Sequence, residues 1–228
     1  MKGDKTNIIN VYRDSPLFIN LDEDGLEKLA NLSILRHFAK GAPLFLESDP
    51  VDFLYFVADG RVKIFKSSSS GKIFTLMVAV RGDPTISVNP FKENTRIFSS
   101  VALDNVTAIC VDRIKFVSFV QEHPSIAIEI IEIFVQLLDS AHERIIDLIG
   151  EPVEQRLINV LHMLSSKFGT ELHFTSEELA DLSGTTTETA IRILSRLKHA
   201  CIIRSGRGKI FILDESKLRD LSRRMFTI

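Results

Sequence analysis

The sequence predicts an α+β protein in three successive parts: an antiparallel β domain, one long helix, and a small helical domain that ends in a hairpin. Three observations carry this. Short β-rich runs punctuated by glycines fill residues 44–112, apolar residues recur at 4-3 spacing from 127 to 148, and two short helices flank Gly184 ahead of a basic segment. The divisions are expected at 1–122, 123–150 and 151–228. At 228 residues and 45% hydrophobic content the chain is long enough for more than one core.

In chain order, a short helix is predicted over Asp22–Leu32. Strands follow at Leu44–Glu47, Phe53–Asp59, Arg61–Lys66, Lys72–Val80, Phe98–Ala102 and Thr107–Asp112, with Gly41, Gly60, Gly71 and Gly82 between or beside them. Evenly spaced short strands with turn residues indicate an antiparallel sandwich or barrel. Ser67–Gly71 reads as a polar hairpin tip. A helix is predicted over Pro124–Leu148, where Ala127, Ile131, Phe134, Leu138, Ala141, Ile145 and Leu148 form an a/d seam. Such a seam is the signature of a helix pairing with its twin. A second stripe, Ile126, Ile130, Ile133 and Leu137, suits packing on the same chain's β domain. Gly150-Glu151-Pro152 reads as a hinge, and Val153–Leu164 as the first helix beyond it.

Thr175 with Glu178 and Thr185 with Glu188 fit S/T-x-x-E, the pattern in which hydroxyl and carboxylate satisfy the free amides at a helix start. Gly184 stands at the turn, where a positive φ is often needed. The second helix is expected to bury Ala190, Ile193, Leu194 and Leu197 and to present Thr186, Thr187, Glu188, Arg192 and Arg196. Glu188 and Arg192, four apart, share one face. A helix that offers such side chains from its first turns is shaped for a major groove.

Charge supports the same reading. Residues 153–228 hold 12 Lys or Arg against 9 Asp or Glu, whereas the rest of the chain holds 16 against 21. Between Thr185 and Lys209, six basic residues face only Glu188. Positive charge gathered on one element of an acidic chain is the footprint of phosphate contacts. No G-x-S-x-G, P-loop or H-E-x-x-H occurs, so no enzyme is expected. No apolar run is long enough to span a membrane, and the first residues lack the apolar core of a secretion signal. Cys110 and Cys201 are expected to be buried thiols of a cytoplasmic chain.

The order of these parts, and two motifs within them, resemble the CRP/FNR family of bacterial transcription regulators. Lys40-Gly41, Phe45, Glu47-Ser48-Asp49-Pro50, Leu54–Val57 and Gly60–Lys63 are similar to the family's cyclic-nucleotide-binding-like β-roll, with Ser48 replacing a usual glycine. Leu179–Asp181, Gly184–Thr186, Glu188-Thr189 and Arg192–Leu197 are similar to its helix-turn-helix. The resemblance implies a winged helix-turn-helix and a homodimer binding a palindromic double-stranded DNA operator. It also implies allosteric control from the β-roll and contact with RNA polymerase if the protein activates. Base contacts would fall to Thr187, Glu188 and Arg192, and phosphate contacts to Thr175, Thr186, Arg196, Arg207 and Lys209. A regulatory subunit that binds a protein partner is the other class weighed, and the basic recognition helix argues against it.

The resemblance places the effector pocket at Ile86, Ser87, Arg96, Phe98, Ala141 and His142. Cyclic-AMP binders carry a Gly-Glu pair where Ile86 and Ser87 stand, so the acceptor for a ribose hydroxyl is missing. Cyclic AMP is therefore disfavoured. Arg96 aligns with the family's phosphate arginine, but a surface residue at a strand start fits it equally well. An apolar cassette bearing phenylalanines suits a hydrophobic effector or a haem better than a nucleotide. His142 lies at an effector-contacting position, which keeps open haem-dependent sensing of NO or CO with His142 as ligand, against the plainer reading of a helix-surface histidine. No zinc-ligand spacing occurs.

Overall fold

The computed structural model describes residues 2–69, 71, 73–85, 91 and 95–222. The chain divides into two compact units, Met1–Leu138 and Asp139–Ile228. The first opens with a helix that the sequence did not predict, α1 (Lys2–Arg13). Its residues are mostly polar, and it is anchored by Val11 and Tyr12, both fully buried, with the Tyr12 hydroxyl 2.7 Å from Ser33 Oγ. A 3-10 turn at Pro16–Phe18 leads to α2 (Glu23–Asn31), whose N-terminus is capped by Asp22 accepting from the Gly25 amide.

Seven strands follow: β1 (Ser33–Phe38), which was also not predicted, β2 (Pro43–Phe45), β3 (Phe53–Asp59), β4 (Val62–Ser67), β5 (Ile73–Ala79), β6 (Ser99–Ala102) and β7 (Val106–Asp112). Among the described residues they form two antiparallel sheets, ordered β1-β7-β3 and β2-β6-β4-β5. Alternation along β3 and β7 divides the core in two. Tyr55, Val57, Ala108 and Cys110 meet Val62, Ile64, Ala79 and Ala102 between the sheets. Phe56, Ala58, Ile109 and Val111 face the other way, onto α1, α2, α3 (Arg113–Glu122) and the start of α4 (Ser125–Gly150).

Ser48 has φ +73°. Its amide donates to Arg96 O and the Arg96 amide donates to Asp49 O, both at 2.8 Å, so the turn is held in place despite the left-handed backbone.

On α4, Ile126 and Ile130 are buried in the first unit's core, with Ile133 partly buried against it. Ile131, Phe134, Leu138, Ile145 and Leu148 lie on the outer face, each between 39% and 61% exposed, while Ala127 and Ala141 are half-buried. This helix runs through both units, belonging to the first as far as Leu138 and to the second from Asp139. Within the second unit Arg144 donates to Leu182 O at 3.2 Å, and Asn159 donates to Asp147 Oδ2 at 3.3 Å.

The second unit continues with α5 (Val153–Phe168), β8 (Glu171–Leu172), α6 (Ser176–Ser183) and α7 (Thr187–His199). It ends with β9 (Ile203–Gly206), β10 (Lys209–Ile212) and α8 (Glu215–Leu221). β10 is central, paired with β8 and β9. α8 was not predicted.

Candidate nucleic-acid interface

The helix-turn-helix is set by local chemistry. Thr175 Oγ1 accepts from the Glu178 amide at 3.2 Å while Glu178 accepts from the Thr175 amide at 2.6 Å, so the first predicted capping box forms. The second does not. α7 is capped one residue later, by Thr186, whose Oγ1 accepts from the Thr189 amide at 3.3 Å and lies 3.0 Å from Thr189 Oγ1. Thr185 instead belongs to the turn, its amide donating to Ala180 O at 3.0 Å. Gly184 has φ +64°, and a Cβ there would stand 2.9 Å from Leu148 Cδ2.

Sequence reading missed the residue that clamps this turn. The Arg156 guanidinium donates to the carbonyls of Ser183, Gly184 and Glu151 at 3.0–3.2 Å. It thereby serves carbonyls that the end of α6 leaves without helical partners. An arginine on an amphipathic helix carries no pattern that would have marked it.

α7 buries Ala190, Ile193, Leu194 and Leu197, at 4% exposure or less, as expected. Thr187, Glu188, Arg192 and Arg196 are exposed. Among the described residues neither the Glu188 nor the Arg192 side chain has a hydrogen bond or ion pair, so a carboxylate and a guanidinium stand one turn apart and uncommitted. Arg196 is engaged, its Nη1 3.0 Å from Glu154 Oε2 on α5. The helix ends with Cys201 at φ +56°, where the Cys201 amide bonds Lys198 O and the Ile202 amide bonds Leu197 O, both at 3.0 Å. This reversal gives the buried place to Ile202 and leaves Cys201 exposed, which corrects the expectation of a buried thiol.

The wing is the hairpin β9–β10, in which Lys209 pairs with Gly206 across the two-residue tip Arg207-Gly208. Arg207 is exposed. Arg204 lies over the Phe211 ring, 4.3 Å from its centroid. Lys209 Nζ is 2.6 Å from Glu171 Oε1, and His173 Nε2 is 3.1 Å from the same oxygen. A groove of about 300 Å³ runs between α7 and the wing, lined on its polar side by Thr175, Ser176, Ser195, Lys198, Ser205 and Lys209. Of the expected phosphate contacts, Thr175 and Lys209 thus share a groove, Arg207 is at the adjoining tip, and Thr186 and Arg196 lie outside its lining.

In the first unit, Arg96 is 3% exposed, which removes the alternative of a surface residue. Its Cζ sits 4.0 Å from the centroid of Phe45 and 5.6 Å from that of Tyr55, and its Nη2 donates to Phe53 O. Burial pulls its pKa below the usual arginine value. Phe98 is half-buried against the same core. Ile86 and Ser87 lie outside the described residues. Ala141 is half-buried and His142 exposed, on the part of α4 that belongs to the second unit.

Residues 155–221 match the Crp-like helix-turn-helix domain, and residues 35–123 match the cyclic nucleotide-binding domain. The chain belongs to the CRP/FNR family of transcription regulators. Within the family, it is 28% identical over 189 residues to the CRP-like cAMP-activated global transcriptional regulator of Mycobacterium tuberculosis, covering 79% of this chain and 84% of that one. Its fold is similar to that of FixK2 from Bradyrhizobium japonicum (TM-score 0.75, 18% identity, 85% of this chain and 99% of the other). It is also similar to the c-di-GMP responsive global regulator CLP of Xanthomonas campestris (TM-score 0.74, 21% identity, 85% and 100%). As a CRP/FNR regulator the chain is a DNA-binding protein. No helix among the described residues is long and apolar enough to cross a membrane.

Proposed function

We propose that this CRP/FNR regulator acts as a homodimer that reads a palindromic operator through Glu188 and Arg192, under control of an effector in the β-roll. The observation that carries the DNA reading is the exposed, uncommitted pair Glu188 and Arg192 on a capped helix. A carboxylate accepts from cytosine N4, and a guanidinium grips guanine O6 and N7 with two donors, each good pair worth about 1–3 kcal/mol of discrimination. Thr187 stands beside them, and Arg207 and Lys209 are suited to phosphates, which set register without sequence information. Selection of bound sequences from a random pool tests this reading. Arg192→Ala should relax preference at one symmetric position, and an unchanged motif would overturn the assignment.

The dimer reading rests on the outer face of α4, where five large apolar side chains of the seam are exposed in the single chain. Two-fold pairing along it would set two recognition helices for half-sites one helical turn apart. An activator among such dimers would also meet RNA polymerase.

For the effector, we rank an apolar small molecule, or haem with a diatomic gas, ahead of cyclic AMP. The carboxylate that would accept a ribose hydroxyl is absent from the sequence, and Arg96 is stacked on Phe45 and bonded to Phe53 O inside the sandwich. The relatives' names, one cAMP-activated and another c-di-GMP responsive, belong to those proteins and leave this choice open. Haem is the other candidate, with His142, exposed in the single chain, as its axial ligand. Titrating cyclic AMP to millimolar concentration while following operator binding tests the negative half, and a tenfold gain in affinity would refute it. An effector must bind the two DNA-binding states of the dimer unequally to shift them.

A further inference from the structure

Among the described residues, Ile191 is the one large apolar side chain of α7 left exposed. Its exposure is 53%, while Ile193, Leu194 and Leu197 are buried at 4% or less. It lies four residues after Thr187 and four before Ser195, on the stripe that borders the wing, and one residue before Arg192. Its side chain also helps line the groove whose polar wall is formed by Ser195, Lys198 and Lys209. Those hydroxyls and ammonium groups suit phosphate and sugar. An isoleucine does not.

In the major groove the apolar feature that a base edge presents is the C5-methyl group of thymine. A β-branched side chain in a helix is held in one χ1 rotamer, so Ile191 meets such a group with little left to order. We propose that Ile191 is a specificity-determining residue that reads the C5-methyl of a thymine beside the base gripped by Arg192. This rests on the recognition role given to α7 above. It adds an apolar readout to the two charged ones, and it selects thymine over cytosine without a hydrogen bond.

The test uses the full-length protein and the operator obtained by selection. Each thymine is replaced in turn, symmetrically, by deoxyuridine, which deletes the methyl group and leaves every hydrogen-bonding atom. Wild type should weaken at one symmetric position by about fourfold per half-site, the loss expected for one buried methyl-sized group. Ile191→Ala should show no loss there, while Ile191→Val should keep part of it. A thermal melt of each variant establishes that it is folded. The wild-type scan needs no variant at all, so a flat scan overturns the proposal by itself, as does an equal loss in wild type and Ile191→Ala. A selected operator with a flat scan leaves the DNA reading intact. Failure to select any operator overturns both.

Discussion

Lys209 Nζ on the wing lies 2.6 Å from Glu171 Oε1 on β8. The contact follows from strand register: Glu171 pairs with Phe211, which places it diagonally across from Lys209 on one face of the sheet. Lys209 and then His173 hold the Glu171 carboxyl below its usual range. The cation expected to anchor a phosphate is therefore already shared with a carboxylate of its own chain.

Glu171→Gln should consequently tighten binding to all DNA sequences alike, by less than about fivefold because the pair is exposed. Lys209→Ala should weaken all sequences alike and reduce the salt slope by about one. Fluorescence anisotropy on specific and random duplexes across a salt series checks both. A change confined to one sequence would show that these residues read bases.

Replacing Ile131 and Leu138 with Asp puts like charges into a two-fold seam whose members are 61% and 55% exposed in the single chain. Neither side chain supports its own chain's core, so the variant should fold, run as a monomer in sedimentation, and lose specific operator binding. A dimer of full affinity would show that the molecules pair elsewhere.

Ser48 occupies a left-handed turn at φ +73° with its side chain exposed. The conformation costs roughly 1–2 kcal/mol for a residue with a Cβ, and glycine's greater freedom when unfolded takes back about 0.5–1 kcal/mol. Ser48→Gly should thus stabilise the protein by up to about 1.5 kcal/mol in urea melts. Gly184→Ala should do the reverse and by more, since φ +64° is joined by the 2.9 Å approach of Leu148 Cδ2.

The two thiols should separate cleanly. Cys110 is 1% exposed, and burial pushes its thiol up to about 12, so almost no thiolate forms near pH 8. Cys201 is exposed. A thiol reagent should titrate one cysteine in the native protein and two in denaturant, and Cys201→Ser should abolish the native reaction.

What the sequence determined by itself was whatever depends on residues a few positions apart. The Thr175–Glu178 cap, the left-handed Gly184, the α7 core face and the helix of α4 all follow from i, i+3 and i, i+4 chemistry. Even here the cap of α7 slipped by one, because Thr185, Thr186 and Thr187 offer the same hydroxyl and only backbone geometry selects among them. α1 escaped notice because its polar residues carry little helical pattern, and its hold on Val11 and Tyr12 depends on a core assembled elsewhere. The tertiary structure decided the rest. Arg96 is buried because β2 and β3 bring Phe45, Phe53 and Tyr55 around it from some 40 to 50 residues away. Arg196 and Lys209 meet Glu154 and Glu171 across similar distances in sequence. Charge and size are written locally, but the partner of a charge is chosen by the packing of the whole unit.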